Sequence, residues 1–305
     1  MVCFDGKDET VVRKSVSLFT DDVRRVTGQD LKAQASNPGE VSARYAIIVG
    51  TAGKSAWIDA LTAKKKIDIT PIAGGWERYM IETVDNPAPG IKKAIVVAGS
   101  DRRGTAYGLL SISKAIGVSP WYWWADAPIK QQKKLAVNVH KFVSKEPTVK
   151  FRGIFINDED WGLMPWSNKT YEPSDVNGEI GPRTNERIFE LLLRLRANTY
   201  WPAMHECTLP FFLTKGNREV AKKYGIFMGA SHCEPMACSA AGEWRRRGNG
   251  AYDYVNNSAA VYKFWEDRVK EVADQEVLYT LGMRGVHDGK MQGAKTVEEQ
   301  KAVLD

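Results

Sequence analysis

Three of the four histidines in this 305-residue chain stand in short runs with carboxylates. His205 precedes Glu206, His232 lies two residues before Glu234, and His287 precedes Asp288, which has Arg284 four residues upstream. A further polar run, Asn157-Asp-Glu-Asp160, leads into Trp161. Carboxyl groups in this number suit hydrolysis of a glycosidic bond, where one carboxyl protonates the leaving oxygen and another activates water or attacks the sugar. His205, Glu206, His232, Glu234 and Asp288 are also competent metal ligands, so a metal-dependent hydrolase is the competing enzyme reading. These ligands are scattered singly, with no HxH pair on the first strand and no HExxH helix, which leaves that reading less support.

Each residue also has a plain structural explanation. One of the acids Asp158 to Asp160 caps a turn or pairs with Arg152, His205 and His232 are satisfied core or rim histidines, and Arg284 with Asp288 is an ion pair. What favours a cleft is the coincidence of these groups with the ends of four predicted strands. There is no GxSxG elbow, no GxxxxGK[ST] loop and no GxGxxG after a strand, so acyl transfer and nucleotide chemistry have no local support.

The elements that would position these groups follow from periodicity. Val12, Val16, Phe19, Val23 and Val26 recur at helical spacing, Arg44 to Val49 reads as a buried strand, and Lys54 to Ala63 as a short helix. Tyr79 to Val84 and Lys93 to Ala98 are further strands, followed by a helix from about Arg103 to Ile116. Residues 1–146 are thus expected to form a small N-terminal α/β domain. In Val118 to Pro128, four adjacent aromatics, Trp121 to Trp124, form either a sugar-stacking surface or an interdomain plug.

After Pro147 the rhythm changes to strand, loop, helix units. Strands are expected over Phe151 to Ile156, Thr199 to Ala203, Ile226 to Ala230 and Val277 to Met283. Helices are expected over Asn185 to Ala197, Asn217 to Tyr224, Tyr252 to Val272 and from near Val297. Repeated βα units imply a parallel sheet, and residues 147–305 read as the first half of a (β/α)8 TIM barrel. In such folds ligands sit at the carboxyl ends of strands, where the His and carboxylate runs fall. Four units cannot close an eight-unit barrel, so a truncated copy is expected.

Composition sets the outer bounds. At 43% hydrophobic and 26% charged residues, the chain has the balance of a folded globular protein. Its apolar runs fall short of the roughly 20 residues a membrane helix needs, and Met1 to Glu9 has no signal-peptide pattern. The basic runs Lys64-Lys65-Lys66 and Arg245-Arg246-Arg247 read as solvated faces rather than phosphate-contacting patches, because neither extends into a basic stripe. Four cysteines are too few for a disulfide scaffold and lack the spacing of a structural zinc site; they read as unpaired, with one bridge open if the protein is exported.

Longer motifs carry a resemblance. Gly99-Ser-Asp-Arg-Arg-Gly-Thr-Ala-Tyr-Gly108, Val118-Ser-Pro-Trp-Tyr-Trp-Trp-Ala-Asp-Ala-Pro128, Phe151-Arg-Gly-Ile-Phe-Ile-Asn-Asp-Glu-Asp-Trp161, Trp201-Pro-Ala-Met204, Gly229-Ala-Ser-His-Cys-Glu-Pro-Met236 and Leu281-Gly-Met-Arg-Gly285 together resemble glycoside hydrolase family 115, the xylan α-1,2-glucuronidases. The resemblance implies a secreted or periplasmic inverting enzyme without cofactor that removes glucuronic acid or its 4-O-methyl ether from glucuronoxylan or glucurono-xylooligosaccharides. It also implies a homodimer for the full-length protein and no nucleic-acid or membrane partner. It further implies Asp288 as the water-activating base and Arg284 as the contact to the sugar carboxylate. His232, Glu234, Asn157, Asp160, His205 and Glu206 would bind substrate, and the general acid is expected beyond Asp305. His205 and His287 depart from the family pattern. The alternative from another class is a non-catalytic truncated or sugar-binding remnant.

Overall fold

The structure, a computed structural model, describes residues 1–305 except 138, 140, 158–160 and 283. Its first unit comprises Met1–Phe151, Glu190–Ala197 and Lys223–Gly225. The sheet of this unit is built from Val2–Phe4 (β1), Ala33–Ala35 (β2), Ala43–Thr51 (β3), Tyr79–Ala88 (β4), Ile91–Gly99 (β5) and Phe142–Val143 (β6), in spatial order β2-β1-β3-β5-β4-β6. β3 and β5, almost continuously buried along their second halves, pair in parallel. Such runs belong at the centre of a sheet covered on both faces. β4 turns back antiparallel on β5, and β6 on β4, so the sheet is mixed.

Thr10–Thr27 (α1), Ala56–Ala63 (α2) and Arg102–Ala115 (α3) flank this sheet. Ile48, Trp57, Ile58, Met80 and Val96 belong to one buried cluster. On α1, Val12, Val16, Phe19 and Val26 are buried as their spacing predicts, Val23 is only half-buried, and Asp22, three residues after Phe19 and four before Val26, is buried beside them. Its carboxylate receives both arms of the Arg194 guanidinium at 2.8 and 2.9 Å. Arg194 also bonds Glu190, which accepts the Tyr122 hydroxyl at 2.8 Å. Tyr122 is thereby tied into a buried polar network of its own unit.

The Ser-Asp-Arg-Arg-Gly motif does structural work here. Asp101 caps α3 by accepting the Gly104 N–H at 2.8 Å. A Cβ on Gly104 would lie 2.2 Å from the Arg78 carbonyl oxygen, so only glycine fits. Arg103 is buried on Glu77 at 2.7 Å.

The second unit comprises Arg152–Phe189, Asn198–Lys222 and Ile226–Asp305. Gly153–Phe155 (β7), Thr199–Trp201 (β8) and Phe227–Met228 (β9) form a parallel sheet in that order. Its helices are Leu163–Trp166 (α4), Pro182–Arg194 (α5), Asn217–Tyr224 (α6), Trp244–Arg247 (α7), Tyr254–Glu271 (α8) and Val297–Leu304 (α9), with the last residues of α5 and α6 grouping with the first unit. α5 ends three residues before Ala197 because Arg196 takes φ 59°, letting Ala197 N–H reach the Leu192 carbonyl in a Schellman turn.

The strand expected over 277–283 is not formed as such. Val277 bridges Met228 and Thr280 bridges Pro235, both parallel, but these bridges stay isolated. Gly282, at φ +123°, ends the extended run beyond them. Among the described residues, no helix is long and apolar enough to cross a membrane. Cys3, Cys233 and Cys238 are buried free thiols.

Candidate active site

The carboxyl ends of β7, β8 and β9 deliver most of the residues singled out by sequence. Asn157 follows β7 and is exposed, while Asp160 lies outside the described residues. β8 stops at Trp201 because Pro202 has no N–H for the ladder, and His205 and Glu206 follow within five residues. β9 leads through Gly229 into Ser231, His232, Cys233 and Glu234. A Cβ on Gly229 would lie 2.1 Å from the Trp201 indole nitrogen, so the glycine lets that ring lie against the strand.

Two loops meet at Asp288. Its Oδ1 lies 3.1 Å from His232 Nε2 and 3.1 Å from an Arg284 guanidinium nitrogen. The hydrogen bond with His232, and then the positive charge of Arg284, hold the Asp288 carboxyl below the usual carboxylate range. Asp288 is therefore ionised and 85% exposed. Arg284 uses one nitrogen on Asp288, leaving the other edge of its planar fork for a second carboxylate.

His287, the neighbour of Asp288, continues the cluster. It adopts φ 52°, the left-handed region that costs a non-glycine residue energy and often marks a functional loop. Its Nε2 lies 3.6 Å from Glu206 Oε1, and its ring meets His205 edge-on with centroids 5.7 Å apart. Arg245 also reaches Glu206, at 2.5 Å. The structure thus joins His205, Glu206, His232, Arg284 and Asp288 through His287.

Glu234 departs from the rim expected of it. It is only 6% exposed, and it accepts the Ser231 N–H at 3.3 Å. Glu234 N–H in turn bonds the Ser231 carbonyl, closing a turn that carries the side chain inward, and Met236 and Ala237 beyond it take left-handed backbone. Burial pushes its carboxyl up to about 8, so it is protonated at neutral pH.

Nearby in charge terms, Glu243 forms a buried ion pair with Arg268, which also bonds Glu271 at 2.9 Å. Arg247 reaches Glu243 and Glu271 at 3.4 and 3.3 Å. The arginine run at 245–247, expected to be a solvated face, is exposed, and its side chains still reach carboxylates and, at Arg246, the Gly242 carbonyl. A run of like charges in sequence gives no hint of the acids that fold against it. The roles of His287 and Arg245 were equally hidden, because each depends on a partner from another loop.

His232, Cys233 and Asp288 place one potential ligand atom each within 4.8 Å of one another. Borderline donors of this kind suit a zinc-like ion. Arg284 on Asp288 opposes a cation at that point, and burial raises the Cys233 thiol away from the thiolate that would bind one.

The model of Glycosyl hydrolase family 115 matches residues 144–305. A solved structure described as a novel family GH115 4-O-methyl-α-glucuronidase, BtGH115A, with specificity for decorated arabinogalactans, matches 100% of this chain at 62% identity with a TM-score of 0.89. The chain spans 38% of the length of that structure. The chitobiase FjGH20 of Flavobacterium johnsoniae is similar over 100% of this chain and 46% of its own at 14% identity, with a TM-score of 0.50, a likeness of fold alone. Among curated protein sequences nothing matches.

Proposed function

Because the chain belongs to glycosyl hydrolase family 115, we propose that it supplies the substrate-binding rim and one catalytic carboxylate of an inverting α-glucuronidase. The substrate is a polysaccharide bearing α-1,2-linked glucuronic acid or its 4-O-methyl ether, met outside the cytoplasm. The observation that carries this reading is the convergence of His232 and Arg284 on Asp288 at 3.1 Å each.

Asp288 is the general base. Held ionised by its two partners, it accepts a proton from the water that attacks the anomeric carbon. Arg284 presents the open edge of its fork to the substrate's own carboxylate, a planar anion matched to a planar cation. Asn157, His205 and Glu206 hold sugar hydroxyls, and His232 orients Asp288. Inversion needs a second carboxyl roughly 6.5–9.5 Å away to protonate the leaving oxygen. We place that acid in the part of the relative's length that this chain does not span, on a later strand of a (β/α)8 barrel whose first units are β7 to the 277–280 segment. The half-exposed Ile154 and Phe155 of β7 support that placement, since apolar side chains on a barrel strand call for covering neighbours.

Xylan is one backbone for the uronic acid. The 62% identity to an enzyme of decorated arabinogalactans favours a second reading, in which the same side chain sits on an arabinogalactan. The full-length protein should release uronic acid from one of the two polymers, with the β anomer appearing first by NMR. Asp288→Asn should lower release by at least roughly a thousandfold, and the 305-residue chain alone should release none. Retained activity in Asp288→Asn would remove the base from this site.

A further inference from the structure

The lysine run Lys64-Lys65-Lys66 has no role in the reading above, yet the fold puts it to use. α2 ends in a Schellman turn in which Lys65 N–H bonds the Thr62 carbonyl at 2.9 Å and Lys66 N–H bonds the Leu61 carbonyl at 2.9 Å. Lys65 occupies the left-handed position of that turn, at φ 54°, where glycine would be the unstrained choice. The turn satisfies carbonyls at the negative end of α2 and carries Lys64 and Lys66 to one side of an open groove of about 570 Å³. Arg44 at the start of β3 and Lys92 at the start of β5 also line it, with Asn86 near the end of β4 and Pro89 of the β4–β5 turn.

Four cations therefore line this groove, and no carboxylate does. Elsewhere on the surface lysines find acids, as Lys93 does on Asp85 at 3.1 Å. Arg44, Lys64, Lys66 and Lys92 have no acidic partner within 4 Å among the described residues. Uncompensated like charges repel one another across a groove, and an anion that bridges them relieves that repulsion. The groove is open rather than enclosed, which suits a chain-like anion that passes through better than a compact one held on all sides. Pro89, exposed at the groove, offers an apolar surface for the face of a sugar ring.

We propose that this groove is a second binding site, on the N-terminal unit, for an acidic polysaccharide carrying carboxylates at intervals. The ligand class rests on the uronic-acid substrate proposed above. The site holds the polymer without acting on it, so it raises the local concentration of side chains available for cleavage and leaves the cleavage step untouched.

The test is affinity electrophoresis of the full-length protein through gels containing glucuronoxylan, polygalacturonate, neutral arabinoxylan or double-stranded DNA. It compares wild type with the combined variant Arg44→Gln, Lys64→Gln, Lys66→Gln, Lys92→Gln. All four side chains are exposed, so the variant is expected to melt with wild type. Retardation by the two acidic polysaccharides, and not by arabinoxylan, should weaken about tenfold in the variant at low salt. KM on the polymer should rise while kcat, and both constants on a short uronic-acid oligosaccharide, stay unchanged. Equal retardation of wild type and variant overturns the proposal. So does equally strong, groove-dependent retardation by DNA, which would mark an unselective polyanion surface. Electrophoresis needs no catalysis, so groove-dependent retardation without uronic acid release would reject the activity and leave the groove standing.

Discussion

His232 Nε2 stands 3.1 Å from Asp288 Oδ1, joining the loop after β9 to a loop that begins more than fifty residues later in the chain. This bond is the largest of the influences that depress the Asp288 carboxyl, the charge of Arg284 being the next. A depressed acid stays ionised to lower pH, and removing its partner lets it take up a proton earlier. His232→Ala should therefore move the acidic limb of the pH–rate profile of the full-length enzyme to higher pH, and Arg284→Met should move it less. An unshifted limb in His232→Ala would show that Asp288 does not set it.

Glu234 works in the opposite sense. Its carboxyl rises from the ordinary 4.5 to about 8 on burial. Between those values the folded protein keeps a proton that the unfolded chain has lost, so stability falls as pH rises from about 4.5 to about 8. Glu234→Gln keeps an acceptor for the Ser231 N–H and cannot ionise. Denaturant melts at about pH 5 and about pH 9, near the ends of that window, should show wild type losing more stability than the variant. Parallel losses would mean that Glu234 is not buried as a neutral acid.

Arg194 holds Asp22 and Glu190 together in the first unit, its side chain 3% exposed. Arg194→Met leaves two carboxylates buried beside each other without a cation. The expected cost is about 3–5 kcal/mol, read as a lower denaturant midpoint. A cost near zero would place those groups in water.

Gly153 pairs with Thr199 where β7 meets β8, and a Cβ there would lie 1.7 Å from the Thr199 carbonyl oxygen. Gly153→Ala must separate the strands, at a cost of roughly 1–3 kcal/mol. Faster hydrogen exchange at Ile156, whose N–H bonds the Trp201 carbonyl at 2.9 Å, should report the opening. Because β7 aims Asn157, kcat/KM should fall as well. Unchanged exchange at Ile156 would mean that the strands absorb the methyl without parting.

What the sequence by itself determined was the local grammar: buried β3 and β5 from their apolar runs, α1 and α8 from helical spacing, and the placement of His and carboxylate runs after strands. Those features depend on neighbours within a few residues, so periodicity and turn chemistry reveal them. The long joined motifs also carried the family, although Asp101, Arg103 and Gly104 prove to cap, pair and pack. Tertiary structure alone decided which members of the polar set meet. It sent Glu234 inward while leaving His232, two residues earlier, on Asp288, because the turn closed by the Glu234 N–H on the Ser231 carbonyl changes the chain direction between them. It reduced the segment at 277–280 to isolated bridges, set Asp22 on Arg194, and placed Lys64 and Lys66 of the lysine run along a cationic groove. Each of these rests on a partner distant in sequence, and charge or burial imposed from across the fold leaves no periodic trace in the chain itself.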